Sequence, residues 1–272
     1  MGRTLAIPNA GKIISLVSGC QDNFSVKRKL KGQTLPPAPT LATLRKELYA
    51  LADPADAIHL QRFFKTAPGE YGAGDKFLGL RVPALRKLVR DYGQLDDSSA
   101  VEMLASSWHE ERLLGLMLLV HGYRRGDDSQ RERIHRVYLE HTRYINNWDL
   151  VDASAEHIVG SHLDPRKIQL LERLARSDDI WERRIAIVST FHFTKRNEFG
   201  PTLKIARLLV GDTHDLIHKA VGWMLREVGK RDRGTLDTFL NRHYRKMPRT
   251  MLRYAIERHP ERVRKQYLAG TI

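Results

Sequence analysis

The sequence is almost without cysteine, holding one residue, Cys20, in 272. That excludes an internal disulfide framework, a thiolate zinc site and a four-cysteine iron–sulfur cluster, and it points to a reducing compartment. Long hydrophobic runs are missing as well. The longest uncharged apolar stretch, Leu113 to Val120, is far too short to cross a bilayer. Nowhere is there a sustained alternation of apolar and polar residues that would argue for strands. Acidic residues are too few to balance the basic ones: 46 Lys and Arg stand against 32 Asp and Glu, a net charge of +14. With 42% apolar and 29% charged residues, the chain reads as a globular protein with a polyanionic partner, and nucleic acid is the commonest such partner.

Residues 1–40 show no sustained helical period and close on Pro36, Pro37 and Pro39. Proline fixes its own φ and pushes the residue before it toward extended geometry, so a loosely ordered N-terminal extension is expected. Within it, Lys27-Arg28-Lys29-Leu30-Lys31 reads as a solvated basic cluster that could touch phosphate. Val17-Ser18-Gly19-Cys20 resembles a lipoprotein cleavage site, but the apolar segment before it runs only from Ile13 to Val17 and is interrupted by Ser15. A signal h-region needs roughly 7–15 apolar residues. No membrane attachment is expected, and the chain is assigned to the cytoplasm.

From Leu41 onward apolar residues recur at spacings of three and four. Leu41, Leu44, Leu48 and Leu51 form one stripe, and Leu216, Ala220, Trp223 and Met224 form another. Pro83, Gly126, Pro165, Gly200-Pro201, Gly211, Gly234 and Pro248 divide the stripes, and Asp96-Asp97, Asp127-Asp128 and Ser177-Asp178-Asp179 are capping material for the helices that follow. The segments also repeat. Trp108, Trp148 and Trp181 each open a predicted helix at spacings of 40 and 33, while Arg184, Lys219 and Arg253 recur at 35 and 34. Two helices per 33–40 residues is the period of a helical solenoid. The fold class is therefore all-α, with residues 41–272 forming one array and basic residues at equivalent positions lining a concave surface. Residues 241–272 carry nine Lys and Arg against two Asp and Glu, half the net charge.

The common catalytic signatures fail. Gly69-Glu-Tyr-Gly72-Ala-Gly74-Asp75 lacks the ending of a P-loop and the third glycine of a dinucleotide fingerprint, and it reads as a flexible turn. The twelve histidines include no His-Glu-x-x-His, so neither a metal nor another cofactor is expected. Ser154 and His157 lie three apart, but nothing marks Ser154 as a nucleophile. What remains is tryptophan paired with charge. Trp148 and Asp152 stand at i and i+4 behind Asn146-Asn147, and Trp181 and Arg184 at i and i+3. Trp223 follows Gly222 and lies between Lys219 and Arg226, where glycine lets a backbone or ligand come close. Trp108 and Trp181 are assigned to the core, and Lys219, Arg226 and Arg253 to contact with DNA.

These residues carry a resemblance. Phe63-Phe64-Lys65-Thr66 through Phe77-Leu78-Gly79, then Asn147 to Asp152, Trp181 to Ile187 and Ile217 to Glu227, resemble in order the AlkD-type family of DNA alkylation-repair glycosylases. The resemblance implies a right-handed superhelix of HEAT-like repeats. It also implies hydrolysis of the N-glycosidic bond of cationic alkylated purines, chiefly 3-methyladenine and 7-methylguanine, in duplex DNA by a monomer. It assigns Trp148 and Asp152 to the catalytic tryptophan and aspartate, Arg184 to the active-site arginine, and Trp223 to a second active-site tryptophan. Two other readings stand beside it: a non-catalytic HEAT-repeat protein that binds damaged or branched DNA, and a HEAT-type protein scaffold. Asp152 is expected to serve the chemistry with little part in folding, and Arg184 to clamp a phosphate beside the lesion.

Overall fold

The computed structural model describes residues 39–272. The expected N-terminal extension, with its basic run and Cys20, lies outside the described residues except for its last two positions. Thr40 caps the first helix among the described residues. Its hydroxyl accepts from the Thr43 N–H at 3.2 Å, and the Thr43 hydroxyl accepts from the Thr40 N–H at 2.9 Å. This reciprocal cap opens α1 (Leu41–Ala50), whose stripe buries Leu44 and Leu48 completely.

The helices that follow are α2 (Pro54–Phe63), α3 (Val82–Tyr92), α4 (Asp97–Leu104), α5 (His109–Arg125) and α6 (Asp128–Glu140). Next come α7 (Trp148–Ala155), a π turn over Glu156–Gly160, α8 (Gln169–Leu174), α9 (Ile180–Ser189) and α10 (Phe191–Thr194). The last are α11 (Gly200–Leu209), α12 (Asp215–Arg231), α13 (Arg233–His243), α14 (Arg249–Ala255) and α15 (Glu261–Ala269). The acidic clusters cap as expected: Asp96, Asp127 and Asp179 accept from the N–H groups of Ser99, Gln130 and Trp181 at 2.9, 2.8 and 2.7 Å. Several expected breakers in fact begin helices. Pro83 and Pro201 sit in the first turns of α3 and α11, where a missing N–H costs nothing, and Pro248 is the N-cap of α14.

The described residues hold no strand, and the chain is all-α. Helix α3 packs on α5, α5 on α7, α7 on α9, α9 on α12 and α12 on α14. Helices α4 and α6 cover α5, α11 and α13 cover α12, and α15 covers α14. Neighbours in sequence are thus neighbours in space, the connectivity of a helical-repeat array. Helices α5 and α12, each 17 residues long, are buried nearly all round, which explains why Leu113 to Val120 is so apolar. Gly222 permits the close contact of α12 with α14. A Cβ there would stand 2.5 Å from the Met251 carbonyl oxygen of α14, so the close approach expected at this glycine is made by a neighbouring helix.

Candidate active site

Helix α7 begins at Asn147, whose buried side chain accepts from the Trp148 N–H at 2.8 Å. Trp148 is therefore the first helical residue, and Asp152 follows one turn later on the same face. Asp152 meets α9. The Arg184 Nε and Nη2 donate to its Oδ1 and Oδ2 at 2.8 and 2.7 Å, and Nη1 donates to the Leu216 carbonyl on α12 at 2.8 Å. One guanidinium thus joins three successive inner helices. Both side chains are 4% exposed. Burial raises the Asp152 carboxyl above its ordinary value, and the Arg184 charge works against that rise.

Trp148 lies against an aromatic wall. Its ring stacks on Phe64 at 5.2 Å and meets the edge of Phe63 at 5.9 Å. Phe64 in turn stacks on Phe77 at 5.1 Å and lies 4.9 Å from the ring of His109. Tyr71, from the glycine-rich turn, meets Trp181 edge-on at 6.2 Å. Burial raises its hydroxyl pKa, and the nearby Trp148 N–H lowers it in part.

Beneath this wall is a chain of buried charge. His109 Nδ1 donates to Asp75 Oδ2 at 3.1 Å and Nε2 donates to Asp149 Oδ2 at 2.8 Å. Burial opposes the imidazolium, but Asp149 and Asp75 outweigh it and hold the group up at about 9. Arg112 donates to Asp75 Oδ1 at 2.7 Å. Although burial opposes it, His109 and Arg112 hold the Asp75 carboxyl below its ordinary value. The glycine-rich segment is therefore a turn anchored at Asp75, with Glu110 fixing the chain just beyond by accepting from the N–H groups of Leu78, Gly79 and Leu80 at 2.9, 2.9 and 3.1 Å.

The sequence-derived residues divide. Trp148, Asp152 and Arg184 come together. Trp223 is 4% exposed and packs against the edge of Phe191 at 5.6 Å, so it is enclosed in the core. Arg226, expected at the DNA, is 5% exposed and paired with Glu257 and, at 3.8 Å, with Glu227, so in this structure it braces α12. Arg184, bonded to Asp152 and Leu216, is not presented to a phosphate. Lys219 is half-buried and pairs with Asp215 at 2.5 Å, and Arg253 is exposed. Trp181 is buried and Trp108 half-buried against the core, as assigned. Ser154 is fully buried and donates to the Leu150 carbonyl at 2.6 Å, which suits no nucleophile. Sequence reasoning missed Asp75, Tyr71, His109 and Asp149 as one unit. The only local signal was His109 itself, a histidine at the mouth of an apolar helix with two acids behind it.

Residues 44–259 match the family described as DNA alkylation repair enzyme. The solved structure of a predicted DNA alkylation repair enzyme from Enterococcus faecalis superposes with a TM-score of 0.60 at 14% identity, covering 77% of this chain and 97% of that one. At that identity the likeness concerns the fold. No curated protein matches the chain.

Proposed function

The chain belongs to the family of DNA alkylation repair enzymes, and from that premise we propose that it is a monofunctional glycosylase for cationic alkylated purines, 3-methyladenine and 7-methylguanine, in duplex DNA. Such a purine already carries positive charge, so it leaves without being protonated. The enzyme must stabilise the oxocarbenium-like sugar left behind. Water adds to C1′ as the bond to the purine nitrogen breaks, giving the free neutral base, an abasic sugar and one proton for the medium.

Asp152 supplies the negative charge. At ~4 Å and an effective dielectric near 20 its attraction for the sugar is roughly 4 kcal/mol, about three decades in rate. A carboxylate has about four lone-pair sites; Arg184 takes two and orients the rest toward sugar and water. The face of Trp148 adds about 0.5–2 kcal/mol of cation–π attraction. The observation that carries this reading is the Asp152–Arg184 pair one helical turn from Trp148. Exposed Arg253, half-buried Lys219 and the basic residues of 241–272 are assigned to the DNA backbone along a concave face.

One observation favours the non-catalytic DNA-binding reading: Asp152 is closed, with both oxygens already bonded to Arg184. Incubating the protein with a duplex carrying one 7-methylguanine, then cleaving abasic sites with alkali, separates the two. A strand break at the lesion is expected. Tight binding to the same duplex with no break supports the binder.

A further inference from the structure

Away from Asp152, a second cluster of titratable side chains has no part in the reading above. Glu132 and His135 lie one turn apart on α6, and His162 stands two residues beyond the π turn that continues α7. One ligand atom from each lies within 4.8 Å of the others. The two imidazoles stack at 3.9 Å with planes 13° apart, and His162 Nε2 is 3.1 Å from Glu132 Oε2. His135 is 9% exposed, and its Nε2 is buried without a hydrogen-bond partner among the described residues. A buried ring nitrogen with nothing to bond is costly unless it has a use.

We propose that Glu132, His135 and His162 form a zinc(II) site. Two imidazoles and one carboxylate are a common zinc donor set, and imidazole suits zinc better than the hard cations. The surroundings fit a metal ligand. The Tyr123 hydroxyl lies 3.2 Å from His162 Nδ1. When zinc takes the Nε2 lone pair, the ring's proton resides on Nδ1 and donates to the tyrosine oxygen, the outer partner that metal-bound histidines usually have. Glu132 is 67% exposed on its side chain and His162 23%, so the cluster has an entry path and a fourth position open to water. Zinc–nitrogen bonds of 2.0–2.1 Å place tetrahedral ligand atoms about 3.3 Å apart. Binding therefore draws the three groups together and unstacks the rings. The ion would tie α6 to the segment leaving α7, the helix that carries Trp148 and Asp152. It stays outside the chemistry.

The test uses the untagged full-length protein, freed of metal by chelation and titrated with zinc sulfate. One zinc retained per chain after dialysis, with a melting temperature raised by several degrees at one equivalent, is expected. Cobalt(II) in place of zinc should give the visible absorption of a tetrahedral site. Glu132→Gln and His162→Gln should each weaken zinc binding at least tenfold and shrink the zinc-induced shift. Because the shift is read within each variant, a less stable variant still reports. Substoichiometric zinc with an unchanged melting temperature overturns the proposal, and so does a shift of full size in both variants, which would place the zinc on other histidines.

Discussion

Asp152 gives both oxygens to a guanidinium that is itself buried, so removing its charge has a structural consequence besides the chemical one. That burial argues against the expectation that Asp152 contributes little to folding. Asp152→Asn leaves Arg184 as a buried charge without a counter-charge, and breaking such a pair costs about 3–5 kcal/mol. Thermal melting should show a clear fall. An unchanged melting temperature would mean that the pair opens freely to solvent. Trp223 too has a structural role. Its burial against Phe191 makes Trp223→Ala a core truncation, with an expected loss of roughly 3–5 kcal/mol, on the order of 6–20 °C for a chain of this size. A melting temperature within a degree of wild type would return Trp223 to an exposed role at the DNA. Trp148 and Asp152 were legible because one helical turn joins them. The partners of Asp152 and Arg226 were not, since Arg184 lies 32 positions away and Glu257 lies 31. An arginine in a sequence looks the same whether it faces a phosphate or a buried glutamate.

At the scale of elements, the turn ending at Asp75, the start of α5 and the start of α7 are locked by the His109 imidazolium. Its folded value of about 9 lies above the unfolded value near 6.5. The stabilisation it brings is therefore complete below about pH 6.5 and is lost as pH rises through 9, on the order of 3 kcal/mol. On the acid side the signs reverse. Burial and Arg124 hold His157 down to about 3, and burial with Arg196 holds His192 to about 4, so their stabilisation is lost as pH falls below 6.5. Melting temperature should be greatest near pH 6–7, and His109→Gln should flatten the alkaline limb. An alkaline limb equally steep in His109→Gln would contradict the assignment. The caps of these elements could be read from the sequence, because an aspartate and the N–H it accepts from are two or three residues apart. The lock could not, because Asp75, His109 and Asp149 are brought together only by packing.

The molecule as a whole was read most fully. A period of 33–40 residues cannot bury its apolar faces except by stacking, and the inner helices do stack in order. Its charge predicts how it meets DNA. With five or six phosphate contacts, the slope of log K against log salt for undamaged duplex should be about −5. A slope near zero would favour the protein scaffold. Whether Asp152 stabilises the sugar cation as the base departs is decided by single-turnover excision of 7-methylguanine by wild type and Asp152→Asn. Both should be assayed well below their melting temperatures and normalised to folded, DNA-bound protein. The rate should be lower by about two to three decades in Asp152→Asn. Equal rates per folded molecule would contradict that role of Asp152.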